Sequence, residues 1–439
     1  MERVPKLFVR VLVCLAACHL FPAAGPGDVA AQSQTTSAIR GIVLLASDTA
    51  LADATVTVRH VQTGVERSVI TNADGRFLLL LLQPGGPYEL TATHLGYAEL
   101  TLEGIQLQVG EMQTLELYLS EQAIEVAGIA VNVERAEIFN PGQVGPATLL
   151  NERFVESVPI LSRDVMELAL LSPQVTTTEN GGFSVAGQND RYNQVLIDGV
   201  GNKDPFGLTA GGVPGGQAGA KMLPLDAVAQ YQILIAPFDV RLSGFAGGVM
   251  NAITKVGTNE WNFRGFAVGR NEALMGDLNL PTGIVEASGV DRSLFGFSAG
   301  GPIVRDQVHF FIATEFEERA KPPTGFNLVR DDPAVIQISP ASMGAFQELF
   351  ESSFGVDTGI GGPYSLNQEL ANIFARVDAT LGGGHRLTAR NVFARAQNDD
   401  TPNRTVFEPY ELSSNAVLRE SATNTMSIQL FSEAGNGGG

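Results

Sequence analysis

Residues 231–261, YQILIAPFDVRLSGFAGGVMNAITKVGTNEW, separate two parts of the chain that obey different patterns. Two short, mostly apolar runs, 233–235 and 249–253, are punctuated by Gly244, Gly247, Gly248 and Gly257. Glycine within a strand pattern marks a bulge, a bend or a close approach of backbones, because no Cβ resists it. Before this stretch, short strands, turns and one helix-like segment alternate. After it, the pattern becomes a series of amphipathic strands. Ile373, Ala375, Val377, Ala379 and Leu381 alternate with Phe374, Arg376, Asp378 and Thr380, and Met426, Ile428 and Leu430 alternate with Ser427 and Gln429. Val308, Phe310 and Ile312 share one face, and His309, Phe311, Ala313, Glu315 and Glu317 share the other. One apolar and one polar face suits a wall between lipid and a wet lumen, and suits a sheet of a soluble sandwich equally.

Composition narrows the classes. The formal net charge is -19, which argues against nucleic-acid binding, since that needs a basic footprint. The apolar fraction of 44% is that of a packed protein and not of a disordered one. After the N-terminus no run of ~18 apolar residues occurs, so no mature transmembrane helix is expected, a test that says nothing of barrel strands.

The first 31 residues read as a secretory signal. Arg3, Lys6 and Arg10 form a basic start, residues 11–20 an apolar core, and Val29, Ala30 and Ala31 a small-residue cleavage site. Both cysteines, Cys14 and Cys18, lie inside it. The run Leu15-Ala16-Ala17-Cys18 is also compatible with a lipobox, which leaves lipidation at Cys18 as the alternative to ordinary cleavage. After ordinary cleavage neither a disulfide nor a thiol nucleophile is available.

Residues 36–121 carry short strands of period two. Val56 and Val58 alternate with polar neighbours, as do Leu115, Leu117 and Leu119, and 72–75 (NADG) is a turn in which Gly75 takes positive φ. The continuous run 77–82 is expected to be a fully buried strand. Strands at this spacing point to a small β-sandwich. The order GIV (41–43), ADATVTV (52–58), TNADGRF (71–77), YEL (88–90) and Gly96-Tyr97 resembles the carboxypeptidase regulatory-like domain, an immunoglobulin-like sandwich. Zinc peptidase chemistry needs His-x-x-Glu spacing for part of its site. None of His60, His94, His309 and His385 has Glu three residues on, so an accessory module without catalysis, metal or cofactor is expected.

Residues 122–259 form a second segment. Ser162 is expected to cap a helix with Asp164 in its first turn, Val165, Leu168 and Ala169 as its buried stripe, and Pro173 as its end. In RYNQVLIDGV (191–200), Val195 and Ile197 alternate with Leu196 before an Asp198-Gly199 turn. The loop GGVPGGQAG (211–219), followed by Ala220 and Lys221, has the wrong spacing for a phosphate-binding loop, and no Ser or Thr follows the lysine.

Three stretches together resemble TonB-dependent outer-membrane receptors. They are GGVMNAITKVGTNEW (247–261), RYNQVLIDGV, and FGFSAGGPIVRDQVHFF (295–311), the last similar to early strands of the Oar-like branch. The resemblance implies a mainly β chain: the sandwich, a mixed α+β plug domain over 122–259, and the first strands of an incomplete transmembrane β-barrel over 260–439. It places the plug–barrel junction at Gly247, Gly248, Asn251, Thr254, Gly257, Thr258 and Asn259. Arg191, Asn193, Asp198 and Asn202 either line the solute face, lock the plug to the barrel wall, or serve turn chemistry and buried hydrogen bonding. Val126, Ile129, Ala130, Val131 and Val133, in VAGIAVNV, resemble a TonB box that adds as a strand to a periplasmic partner. A linker or a last sandwich strand is the other reading of that run.

The partners implied are a TonB-type inner-membrane energy-transducing complex, outer-membrane lipid and an unidentified solute. Six or seven strands follow Trp261, whereas plugged outer-membrane transporters have about 22, so a fragment is expected, one that transports nothing by itself. The competing function is a secreted or surface-attached β-rich protein, an adhesin that binds carbohydrate or protein.

Overall fold

The computed structural model describes residues 35–120, 147–178, 182–204, 209, 212–238, 242–274, 278–280, 283–285, 291–321, 340–359, 365–382, 384–400 and 413–432. The first seven strands are β1 (Ser37–Leu45), β2 (Thr55–His60), β3 (Glu66–Ile70), β4 (Arg76–Leu82), β5 (Gly85–Thr93), β6 (Leu100–Leu107) and β7 (Met112–Leu119). They pack as two sheets, β4-β1-β7 and β3-β2-β5-β6, with β1 and β7 parallel. Ile39, Val56, Val58, Leu79, Leu90, Leu117 and Leu119 fill the space between them. Each comes from the inward-facing set of an alternating strand, which is what period two produces when one face is covered. Asn72 closes the β3–β4 turn by accepting the backbone N–H groups of Asp74 and Arg76, and Gly75 sits at φ 70. The run 77–82 departs from expectation. It alternates, with Phe77 and Leu79 inward and Leu78 45% exposed, because only the face of β4 turned toward the other sheet is covered.

A second unit follows, organised by a five-stranded sheet of order β12-β11-β14-β13-β8. Its members are β8 (Ala147–Leu150), β11 (Gln194–Ile197), β12 (Val200–Gly201), β13 (Val228–Ile235) and β14 (Gly248–Thr254), with β9 (Val175–Thr177) and β10 (Phe183–Val185) pairing beside it. Helix α1 (Glu152–Ser157) is capped by Asn151, whose side chain accepts the Phe154 N–H. The expected helix near 162 is a 3-10 helix over Val165–Leu171. Its cap is Asp164, which accepts the Met166 N–H, while Ser162 Oγ accepts from Asp164 N one step earlier. The stripe of Val165, Leu168 and Ala169 is buried as expected. Leu196 is not on an open face, since Val195, Leu196 and Ile197 are all buried in a strand covered on both sides. Asp198 (φ 47) and Gly199 (φ 73) form the two-residue turn from β11 to β12, the positive φ at both positions matching a tight hairpin.

The remaining strands build a wall: β15 (Asn262–Arg270), β16 (Leu278–Leu280), β17 (Gly283–Val285), β18 (Asp291–Val304), β19 (Val308–Lys321), β20 (Leu366–Gly382), β21 (His385–Asp400) and β22 (Val417–Phe431). Helix α2 (Pro340–Phe354) lies between β19 and β20 in sequence. Six of these strands make one antiparallel sheet, β15-β18-β19-β20-β21-β22. Among the described residues this sheet is open, with β15 and β22 at its edges. The four strands β18 to β21 run 14 to 17 residues, more than the ~10 a tilted strand needs to cross a bilayer.

The wall is inside out relative to a soluble sheet. Along β19, His309, Phe311, Ala313, Glu315 and Glu317 are buried, and along β20 so are Leu370, Asn372, Phe374, Arg376 and Asp378. The opposite face carries exposed apolar side chains, among them Phe295, Phe297, Val377, Met426, Ile428 and Leu430. The charged face is covered because the second unit packs against it. Phe311, Ala313, Phe374 and Val392 of the wall join the same core as Val195, Tyr231 and Met250.

Candidate functional site

The second unit meets the wall at two clusters of buried charge. In the first, Lys221 Nζ donates to Glu315 Oε1 (2.8 Å), Glu317 Oε2 (2.8 Å) and the Ser162 carbonyl (2.7 Å), which uses all three ammonium protons. Arg163 Nε donates to the other oxygen of Glu315 at 3.1 Å, and its guanidinium lies 3.0 Å from Asp226, an ion pair without hydrogen-bond alignment. Arg163 also stacks over the Phe266 ring of β15 at 3.8 Å. Arg292 of β18 donates to Glu317 at 2.7 Å and to the Leu161 carbonyl at 2.6 Å. Three cations (Lys221, Arg163, Arg292) thus face three carboxylates (Glu315, Glu317, Asp226), and the half-exposed Arg264 adds a 3.5 Å contact to Asp226 while pairing with Glu156 at 3.3 Å. Burial pushes the neighbouring Asp164 carboxyl up from its ordinary range, against the N–H of Met166 and the charge of Lys221.

The second cluster is built around the β11–β12 turn. Asp198 accepts Thr254 N and Thr254 Oγ1, both at 2.8 Å, and lies 3.6 Å from Arg376 and 3.4 Å from Arg390. Arg376 holds Asp378 with two nitrogens at 2.7 and 2.8 Å and donates to Thr254 Oγ1 at 2.7 Å. Thr388 donates to Asp378 at 2.7 Å, and Arg390 donates to the Ile197 carbonyl. A turn of the second unit is thereby fastened to β20 and β21 through buried side chains.

The residues singled out from sequence separate into groups. Asp198 and Thr254 are in this second cluster. Asn251 is buried beside it and accepts the Gly199 N–H at 3.1 Å. Asn193 is buried inside the second unit, donating to the Phe183 carbonyl and accepting Gly248 N at 3.1 Å. Asn202 is buried, with its N–H on the Val195 carbonyl, whereas Arg191 is exposed on a single 3-10 turn. Gly247 and Gly248 pass so close to Asn193 and Val185 that a Cβ at either would stand 2.5 or 2.6 Å from their side chains. Gly257 runs against β19, where a Cβ would meet the backbone N of Phe310 at 2.8 Å. Thr258 accepts from Asn262, and Asn259 bonds Asp306 with both its amide atoms (2.7 and 2.9 Å), so these two tie the exit of the second unit to the wall. Val126, Ile129, Ala130, Val131 and Val133 lie outside the described residues.

Sequence reasoning did not single out Arg163 or Arg390, and it considered Lys221 only as a phosphate-loop lysine to be dismissed. Glu315 and Glu317 were on the polar face by alternation, and their partners were not readable. One signal was available: Glu315 and Glu317 share the face of Phe311 and Ala313, and two carboxylates there require cations if the face is covered.

The sandwich touches both other parts. Gln230 of β13 accepts Val109 N at 3.1 Å, the Gln62 carbonyl accepts Asn259 N at 2.8 Å, and Arg67 donates to the Gly384 carbonyl at 2.8 Å.

Residues 38–120 match the carboxypeptidase regulatory-like domain family. Over 308 residues the chain is 25% identical to the TonB-dependent transporter Oar of Myxococcus xanthus, covering 64% of this chain and 27% of that protein. This bears out the resemblance read from 231–261. The chain therefore spans about a quarter of the length of that relative. Among solved structures it is similar to the outer membrane transporter YddB of Escherichia coli (TM-score 0.43, 11% identity, 65% of this chain and 36% of that one). It is similar also to the siderophore receptor PirA of Acinetobacter baumannii (TM-score 0.40, 15% identity, 65% and 37%).

Proposed function

We propose that this chain supplies the accessory sandwich, the plug and the first wall strands of a TonB-dependent outer-membrane transporter. The observation that carries the reading is the inverted wall: long strands with an apolar face outward and buried charges directed at the unit that covers their other face. Only lipid outside and a plug inside make both faces favourable at once. In this reading the two charged clusters hold the plug, and solute uptake requires that at least one of them loosen. The energy comes from a TonB-type inner-membrane complex, engaged through backbone pairing with residues 126–133. No reaction is catalysed, and the solute is bound on the face of the plug away from that complex.

Two measurements test it. The protein as the cell makes it is expected in the outer-membrane fraction, migrating faster on gels when unheated; a soluble extracellular product would sink the reading. A photo-crosslinking residue in place of Ile129 or Val131 is expected to capture the energy-transducing partner. Capture from other positions but from none in 126–133 moves the box elsewhere.

A further inference from the structure

The two charged clusters differ in balance. The first sets three cations against three carboxylates. In the second, Arg376, Arg386 and Arg390 share one side of β20 and β21 with only Asp198 and Asp378. Arg386 is the one left over. It forms no ion pair with any described residue, and its buried Nε has no acceptor among them. Asp378 is near enough to attract it, but that carboxylate is already held by Arg376 and Thr388. The guanidinium of Arg386 lies 4.5 Å over the ring of Phe431, its cross-strand partner on β22, which fixes its plane.

Arg386 lines a cavity of about 620 Å³ that is bounded by all three parts of the molecule. The sandwich contributes His60, Gln83 and Gly85, and the wall contributes Gln429 and Phe431. Gly85, at the start of β5, has φ 111, and a Cβ there would meet nothing within 4 Å, so this part of the lining leaves open space. Of the carboxylates that also line the cavity, Glu152 and Glu156 are paired with Lys255, Asp198 is held by Thr254, Arg376 and Arg390, and Glu260 is exposed. The His60 imidazole is lowered to about 4, by burial first and then by the charges of His309 and Arg386.

We infer that this cavity is a binding site for a small organic or inorganic anion, a carboxylate or a phosphate, held by the Arg386 guanidinium between the sandwich and the barrel wall. A planar guanidinium offers such a group two parallel hydrogen bonds, and a low-dielectric wall strengthens them. The bound anion completes the charge balance of the second cluster and joins the sandwich to the wall, so anion occupancy also steadies the docked sandwich.

Calorimetric titration of the purified protein, as the cell makes it, with inorganic phosphate and separately with succinate tests the site. Saturable binding of one equivalent of at least one of the two is expected. Arg386→Gln should weaken it roughly 10- to 100-fold, the range for losing a charge-assisted pair of hydrogen bonds, with Arg386→Lys in between. Gln83→Glu should weaken it as well, because a resident carboxylate then competes; this variant carries the test if Arg386→Gln does not fold. Lys203→Gln, which lies outside the cavity lining and whose ammonium donates only to the Arg191 carbonyl among the described residues, should bind like the parent. A folded parent that binds neither anion, or Arg386→Gln and Gln83→Glu that both bind with parental affinity, overturns the assignment.

Discussion

The second unit meets the wall at two buried charged seams, and the contrast between them is instructive. The seam around Lys221 is closed: every cation has a carboxylate, and the ammonium has no proton to spare. The seam around Asp198 carries one guanidinium more than it has carboxylates. A closed buried network holds two surfaces in one register but is costly to interrupt, since removing one member strands another in a medium that does not solvate it. A seam with surplus charge can accept another group. The first seam therefore reads as a fastening and the second as a fastening with a receptor in it.

The largest expected effect comes from opening the closed seam. Glu315→Ala leaves Lys221 with one carboxylate and Arg163 with only its misaligned contact to Asp226, a loss of about 3–5 kcal/mol by the usual cost of breaking a buried pair. Thermal unfolding followed through the unheated gel shift measures it; a change under 1 kcal/mol, by comparison with the ~3 expected, would show that the seam is wet. In the second seam, Thr254→Val removes a hydroxyl that donates to Asp198 and accepts from Arg376, for about 1–3 kcal/mol.

A smaller effect is read through pH. The folded His60 has its pKa lowered to about 4, so the unfolded chain binds the proton first. Stability from this group is complete above the ordinary imidazole range near 6.5 and is lost as pH falls from there toward 4, at up to about 1.4 kcal/mol per pH unit. Hydrogen exchange in β2 across that window checks the slope, and His60→Gln should flatten it. The smallest effect is Arg386→Gln in the absence of added anion. Unlike Glu315→Ala it strands no partner, so stability should move by less than about 1 kcal/mol, in either direction. A large loss there would mean that the two seams are alike after all.

Much of this architecture was legible. The β19 alternation placed His309, Phe311, Ala313, Glu315 and Glu317 on one face, and all five are buried together. The Asp198-Gly199 turn and the strands on either side of Gly247 and Gly248 also stand where the pattern put them. Local misreadings had local causes. The run 77–82 reads as fully buried because apolarity alone does not reveal that only one face of β4 is covered, and the alternation of Val195 and Ile197 with Leu196 does not reveal that both faces of β11 are. Ser162 and Asp164 are both acceptable caps, and the choice fell to the one whose carboxylate reaches Met166 N.

The charge partners were beyond reach for a different reason. Lys221 and Glu315 are 94 positions apart, and Thr254 and Arg376 are 122 apart, so no spacing rule connects them. By itself the sequence determined the period of each strand, the turns between them and the boundary at 231–261, since these follow from neighbouring residues and backbone sterics. Which face of the wall turned inward, and which cation met which carboxylate there, was decided only by the tertiary structure. A buried charge is tolerated solely where a partner is brought to it, and only the packing of the second unit against the wall brings those partners together.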